Sequence, residues 1–257
     1  GGMMGNYKSP VLSSGLVSAS KLFFLDRSAG GEYWGTRDLG FQLDGNFEAN
    51  TVNWYLSIQN GADAAADDYM VTGRAQLNLI GEAFKKIGVE GAQDGKDDPS
   101  GMVAVSVFDD GAVDQGDGFA GEMQFKTNVY SVGAEVMDLG DGVSGSQDAE
   151  GDVMNGFVDD YYDFGNFAGL TLEDNSNPFA FQGTYMVSAT EGNATGWEVG
   201  GRYQDFDNTG NDSMIEIGVR RYMVGHKLKW GFFYVSTDSD VSTNEFDLLG
   251  ADLVLGF

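Results

Sequence analysis

The 257-residue sequence has no cysteine and a single histidine, His226. Without cysteine the chain has no disulfide framework, no thiolate zinc site and no cysteine nucleophile, and one histidine excludes a multi-histidine metal cluster. Basic residues are scarce too, since 14 Lys and Arg stand against 40 Asp and Glu and the net charge is -26. A nucleic-acid-binding protein needs a basic footprint, so no nucleic-acid partner is expected.

Long apolar runs are also missing. No stretch reaches the roughly 18 apolar residues that a transmembrane helix needs. Helical periodicity is nearly absent, yet hydrophobic residues make up 42% of the chain, which is too many for a disordered protein. Two classes remain, namely a water-soluble acidic β domain and a membrane β-barrel.

A period-two alternation of apolar and polar residues recurs along the chain and predicts antiparallel β-strands. Two hairpins are predicted over residues 39–59 and 119–136, and single strands over residues 69–79, 87–92, 102–107, 179–187, 197–203, 215–219 and 228–234. A last strand, over residues 245–257, ends in Phe257. The prediction is one all-β domain over residues 1–257, with about 12 to 14 antiparallel strands.

The aromatic residues and the connections favour a transmembrane barrel over a soluble sandwich. Short turns near residues 48–51, 127–128 and 224–226 coexist with a long acidic loop over residues 138–177, which is the asymmetry of porins. Aromatic side chains on the apolar faces fit girdles at the membrane interfaces. These are Trp54, Trp197, Tyr203, Trp230 and Tyr234.

Most strand-borne basic residues fall on the polar faces, which a barrel turns toward its lumen. The predicted pore-lining residues are Arg74, Lys126, Arg202, Glu216, Arg220, Lys227 and Lys229. Arg202, Arg220, Lys227 and Lys229 fall on three successive strands before the final one. Sequential pairing would make them a basic wall that filters solutes by charge. The alternative is ordinary ion pairing, for instance of Arg202 with Glu216 or Glu198. Arg221 breaks the alternation and is expected at the membrane interface or against a neighbouring subunit.

No catalytic activity and no cofactor are expected. Lipid- or peptide-hydrolysing barrels normally need a histidine beside a nucleophile or carboxylate, and His226 falls in a predicted turn. The acid clusters at residues 138–141 and 207–212 offer oxygen ligands for calcium or for divalent ions that bridge lipopolysaccharide. Neither has the spacing of a calcium loop, and solvated loops are the alternative interpretation.

Several motifs resemble the phosphate-selective O and P family of bacterial outer-membrane porins. They are Gly5-Asn6-Tyr7-Lys8-Ser9-Pro10, Phe24-Leu25-Asp26-Arg27-Ser28, Arg37-Asp38-Leu39-Gly40, Asn60-Gly61, Gly196-Trp197-Glu198-Val199, Arg202-Tyr203, Gly218-Val219 with Tyr222, Gly225-His226-Lys227-Leu228-Lys229 and Leu255-Gly256-Phe257. The resemblance runs in order along most of the chain and is best over the final 60 or so residues.

This resemblance implies a homotrimer of sixteen-stranded barrels in the bacterial outer membrane, with lipid and lipopolysaccharide around it. The family's layout makes residues 11–28 the constriction loop and implies strands before Gly1. Its charged lining would include Lys8, Lys21, Asp26, Arg27 and Arg37.

Passive diffusion of small hydrophilic solutes and ions is the function that the sequence favours. Phosphate-selective members of the family carry dense arginines and lysines at the constriction, and this chain has only 14 basic residues. An anion- or phosphate-selective channel is the first alternative. A structural or partner-binding outer-membrane barrel with a closed lumen is the second.

Overall fold

The computed structural model describes most of the strands and several of their connections. The described residues are 2–7, 38–47, 51–59, 69–81, 91–92, 98–109, 117–140, 175–189, 195–225, 227–242 and 245–255. Among them, no helix is long and apolar enough to cross a membrane.

The described residues contain twelve strands, which form one sheet in which neighbours in sequence are neighbours in space. Their bounds are β1 Gly2–Tyr7, β2 Asp38–Phe47, β3 Val52–Gln59, β4 Met70–Ile80, β5 Ser100–Asp109, β6 Asp117–Lys126, β7 Tyr130–Leu139, β8 Phe179–Ala189, β9 Gly196–Asp205, β10 Ser213–Val224, β11 Leu228–Asp238 and β12 Asp247–Leu255. Every pairing is antiparallel. The predicted all-β antiparallel architecture is therefore confirmed, while closure into a barrel belongs to the proposal below.

Alternating residues give the sheet two faces of opposite character. In β5, Val103, Val105 and Val107 are exposed, whereas Ala104 and Ser106 are buried. We call the two sides the exposed face and the buried face. The polar side chains of the strands lie mainly on the buried face, together with Met, Ala and Phe, and the large aliphatic side chains lie mainly on the exposed one.

The connections differ between the two ends of the strands. One end, the turn end, has the short β2–β3, β6–β7 and β10–β11 connections, over residues 48–51, 127–129 and 225–227. The other end, the loop end, has the longest ones, over residues 8–37 and 140–178. The predicted asymmetry is present, with one exception, because the β4–β5 connection over residues 81–99 is long and lies at the turn end.

Local hydrogen bonds explain why the β6–β7 turn is tight. The Thr127 hydroxyl oxygen accepts hydrogen bonds from the backbone N–H groups of Val129 and Tyr130, each at 3.1 Å. A Ser or Thr hydroxyl that satisfies turn amides in this way competes with strand continuation and ends the strand. At the loop end, the long β7–β8 connection is closed at its base by the backbone bond from Asn175 to Gly140, at 3.2 Å.

Some local predictions differ from the structure. Strand β1 has no clear alternation in its sequence and was not predicted. Ala92 lies in a turn rather than in the strand expected over residues 87–92, of which residues 87–90 lie outside the described part. The acidic segment predicted as loop from residue 138 begins later, because Asp138 and Leu139 belong to β7, and its residues 141–174 lie outside the described part.

Candidate functional site in the buried polar face

The buried face carries a dense set of ionisable and amide side chains. Glu198, Glu216, Arg220 and Lys229 are all 0% exposed. The others that are buried include Arg74, Gln76, Asn78, Glu122, Gln124, Glu135, Gln182, Arg202 and Gln204. Charged side chains are almost never fully buried unless they are paired, so the charged groups of this face are expected to have partners of opposite sign.

Arg74 in β4 forms an ion pair with Glu122 in β6 across the intervening strand β5. Both side chains are at most 3% exposed. Arg74 also donates to the Gln76 side-chain oxygen at 3.2 Å, and the Gln76 amide donates to Asn78 at 3.0 Å. A polar ladder therefore runs along β4 toward the turn end.

The basic residues of β9 and β10 face acids rather than one another. In the antiparallel register Arg202 lies opposite Glu216, and Arg220 lies opposite Glu198. Directly paired residues share a face with Cβ atoms about 5 Å apart, so positive and negative groups alternate on this surface. The register therefore matches the ion-pair alternative. It places an acid opposite each of these arginines, so the basic residues do not form a continuous wall.

Arg220 meets a second acid from the other side. Its guanidinium lies 3.7 Å from the Asp252 carboxylate in β12, and both side chains are at most 7% exposed. Gly231 stands between them in β11, where an added Cβ would lie 2.8 Å from Asp252. The missing side chain leaves room for the pair to meet over the strand.

A short piece of the β4–β5 connection reaches this face far from its own strands. The backbone N–H of Ala92 donates to one oxygen of the Glu198 carboxylate at 2.7 Å, and the Tyr222 hydroxyl donates to the other oxygen at 2.7 Å. Ala92, Met186 and Tyr222 form a buried cluster around this point. We call Gly91, Ala92, Glu198 and Tyr222 the latch.

Gly91 is required in the latch for two reasons. Its φ of +77° lies in the left-handed region, which favours glycine. In addition, a Cβ on Gly91 would collide with the Glu198 carboxylate. The latch lies near the turn end, because Glu198 is close to the start of β9 and Tyr222 is close to the end of β10.

The structure places the predicted pore-lining residues in different surroundings. Five lie on the buried face, namely Arg74, Arg202, Glu216, Arg220 and Lys229. Lys126 is half-buried at the end of β6, and Lys227 is exposed in the turn before β11. The constriction candidates Lys8, Lys21, Asp26, Arg27 and Arg37, the predicted loop over residues 11–28 and His226 lie outside the described residues.

The latch was missed by the sequence analysis. Glu198 shares the strand parity of Arg202 and was named only as an alternative ion-pair partner of that arginine, not as an acceptor for Ala92 and Tyr222. Nothing in the sequence around Ala92 indicates a contact with a residue 106 positions later.

The described acids of the 207–212 loop accept hydrogen bonds from within the loop and from the neighbouring β7–β8 connection. Asp212 accepts a bond from the Asn208 side-chain amide at 3.0 Å, and Asp207 accepts one from the backbone N–H of Asn177 at 2.6 Å. Within the described ranges, no group of three or more His, Cys, Asp or Glu side chains is placed to hold a metal ion.

No protein-family model matches the chain, and no sufficiently similar curated protein was found. The resemblance to phosphate-selective porins therefore stays a resemblance.

Proposed function

We propose that the protein is a porin-like β-barrel of the bacterial outer membrane that passes small hydrophilic solutes and ions by passive diffusion. The observation that carries this proposal is the reversed polarity of the sheet. Leu253, Val105 and Val107 are 62% to 64% exposed, whereas Arg220 and Lys229 are 0% exposed. A water-soluble protein buries the first kind of side chain and exposes the second. An outer-membrane barrel turns apolar residues to lipid and polar residues inward.

Aromatic residues at both ends of the exposed face support the membrane placement. On β9, Trp197 near the turn end and Tyr203 near the loop end stand about 20 Å apart along the strand, at 3.3 Å per residue. That spacing approaches the apolar band of outer-membrane barrels, which is about 25 Å tall and flanked by aromatic girdles. The same pattern continues around the sheet with Trp54, Tyr130, Tyr185 and Trp230 at the turn end and Tyr69, Phe119 and Phe179 at the loop end.

The arrangement of charges supports a weakly charge-selective channel rather than one selective for phosphate. A phosphate filter requires basic groups left available to the solute. Here Arg74 is paired with Glu122, and Arg220 has Asp252 and Glu198 beside it. Neighbouring charges of opposite sign cancel much of the field that would attract an anion. Selectivity would then depend mainly on the width of the lumen and on the acidic loops.

A barrel with a closed lumen is the second candidate, and one observation favours it. The complete burial of Glu198, Glu216, Arg220 and Lys229 leaves these side chains no contact with bulk water. At the turn end, the latch contributes to the burial of Glu198. In this alternative the protein stabilises the membrane or binds a partner, and its interior transmits nothing.

Electrical recording separates the two candidates. Detergent-extracted protein would be added to a planar lipid bilayer under a salt gradient, and single-channel conductance and reversal potential would be measured. The proposal predicts discrete conductance steps with a reversal potential near zero or slightly cation-selective. Absence of any step from protein that has inserted, as judged by protease protection in vesicles, would contradict the channel and favour the closed barrel.

The oligomeric state follows from the resemblance and is tested separately. A homotrimer predicts a species of three times the 27.5 kDa chain mass, apart from bound detergent. Analytical ultracentrifugation in density-matched detergent measures that mass directly. A monomer at all concentrations would contradict the trimer without bearing on the conductance.

A further inference from the structure

Arg221 occupies an unusual position on the exposed face. It stands in β10 directly opposite Trp197 of β9 and Trp230 of β11. The Arg221 guanidinium carbon lies 5.5 Å from the centroid of the Trp197 ring, a cation–π distance. The two indoles pack edge to face with centroids 5.2 Å apart. The guanidinium is therefore held at a fixed place rather than extended freely.

The charges of the exposed face are separated between its two ends. Among the Lys and Arg residues that the structure describes within strands, Arg221 alone belongs to the exposed face, and it lies at the turn end. The described acids of the same face all lie at the loop end, at Asp109, Asp117, Asp138, Asp205, Asp238 and Asp247. In a chain of net charge -26, the turn end is thus the place on this face that an anion can approach.

We propose that Arg221, framed by Trp197 and Trp230, binds the phosphate diester of a membrane glycerophospholipid at the turn end of the barrel. The planar guanidinium offers donors that match two phosphate oxygens, and tryptophan prefers the headgroup level of a membrane. Val219 and Phe232 continue from the arginine toward the middle of the exposed face and would contact the acyl chains. This inference rests on the proposed membrane placement.

A lipid fits this site better than free phosphate. Free phosphate is strongly hydrated and would gain nothing from the apolar surface formed by Val219 and Phe232. A phospholipid combines the charge that Arg221 recognises with chains that the neighbouring surface accepts. One basic residue near a membrane surface adds about 1 kcal/mol of attraction for an anionic lipid, which corresponds to about a fivefold change in affinity.

The test measures lipid bound to the purified protein in detergent. Phosphatidylglycerol would be titrated and the lipid-bound fraction counted by native mass spectrometry, for wild type, Arg221→Gln and Arg221→Lys. The Arg221→Gln variant is expected to bind about fivefold more weakly, and Arg221→Lys to fall between the two, because lysine keeps the charge but not the fork geometry.

Lys227→Gln is the matched control. Lys227 is exposed in the turn at the same end of the molecule, so its removal changes the net charge equally without touching the indole pair. The proposal predicts near wild-type binding for this variant. Equal losses in both variants would overturn the site and indicate diffuse electrostatics. Unchanged binding by Arg221→Gln would overturn it directly.

Inorganic phosphate at millimolar concentration distinguishes the source of the anion. Phosphate is expected not to displace the lipid. If it displaced the lipid and abolished the difference in lipid binding between wild type and Arg221→Gln, the site would be one for free anions instead. Far-UV circular dichroism of each variant verifies that the strand content is retained. The binding measurement requires no conductance, so a closed lumen would leave this result intact, whereas failure to associate with any bilayer would contradict the proposed function itself.

Discussion

The two faces of strand β5 show the difference on which the account depends. On one face Val103, Val105 and Val107 are exposed, and on the other Ala104 and Ser106 are buried. The same division is seen in β10, where exposed Ile217 alternates with buried Glu216. In both strands most valine and isoleucine side chains are exposed, whereas Ser106, Glu216 and Arg220 are buried beside Met102, Phe108 and Met214. Under the proposed membrane placement, the exposed valine and isoleucine side chains contact lipid.

The comparison also teaches that the buried face depends on charge pairing. An apolar core tolerates small errors in packing, but a buried charge without its partner is strongly destabilising. Each face should therefore respond to substitution in the opposite way from the corresponding face of a water-soluble protein. The following predictions test that reversal, beginning with the largest effect.

The largest effect is expected at the Arg74–Glu122 pair. Glu122→Gln leaves the Arg74 charge buried without its counter-charge, and we expect a loss of about 3 to 5 kcal/mol in the free energy of unfolding. Urea titration of the protein folded in phospholipid vesicles measures this free energy of unfolding. The double variant Arg74→Met plus Glu122→Leu removes both charges and should recover most of the loss. A single variant as stable as wild type would show that this face is open to water.

A charge on the exposed face gives the next largest effect. Val105→Arg places a cation near the middle of the face at a position that is 62% exposed. At the midplane of a bilayer this should cost about 2 to 4 kcal/mol.

The control for this charge is Val241→Arg, in the β11–β12 connection at the loop end, where the side chain is exposed outside the apolar band. It should be close to neutral. On the surface of a soluble protein both substitutions would change the free energy of unfolding by no more than about 0.5 kcal/mol. Equal and small effects would therefore contradict a lipid-facing surface.

The latch should respond at an intermediate level. Glu198→Ala removes the acceptor for the Ala92 N–H and for the Tyr222 hydroxyl, both of which are buried. A buried donor left without an acceptor costs about 1 to 3 kcal/mol. If the latch narrows the lumen, the single-channel conductance of this variant should rise.

Tyr222→Phe is the milder companion, because it removes one hydrogen bond and keeps the ring. It should have a smaller effect on both stability and conductance. A stability loss in Glu198→Ala with wild-type conductance would show that the latch holds the connection without lining the path of ions.

The smallest effect is expected in the β6–β7 turn. Thr127→Ala removes the hydroxyl that accepts from Val129 and Tyr130, and we expect a loss of about 1 kcal/mol. Thr127→Ser keeps the hydroxyl and should retain most of the stability. The same unfolding assay measures both variants, and an unchanged stability in Thr127→Ala would show that water replaces the hydroxyl.

Strand positions and faces were predictable from the sequence because period-two alternation is a local property. The positions of Leu77, Arg202 and Trp230 on their faces follow from it directly. Strand β1 was missed because Gly2-Met3-Met4-Gly5 has no alternation of apolar and polar residues. Its strand conformation depends on pairing with β2 rather than on its own pattern.

The candidate site was only half predictable. Parity placed Arg202 and Arg220 on the polar face, but it does not tell which acid faces which base. That depends on register, which pairs Arg202 with Glu216 rather than with another arginine. The latch could not be predicted from the sequence, because the contact between Ala92 and Glu198 depends on the path of the β4–β5 connection, which has no periodic pattern of apolar residues.

Site-directed spin labelling along β5 tests the central claim most directly. The chain contains no cysteine, so a single cysteine can be introduced at each position of residues 100–109 without removing others. Accessibility to lipid-soluble oxygen and to a water-soluble nickel reagent would be measured in vesicles. The account predicts oxygen maxima at 103, 105 and 107 and minima at 102, 104 and 106. High nickel accessibility at 103, 105 and 107 would contradict a lipid-facing surface.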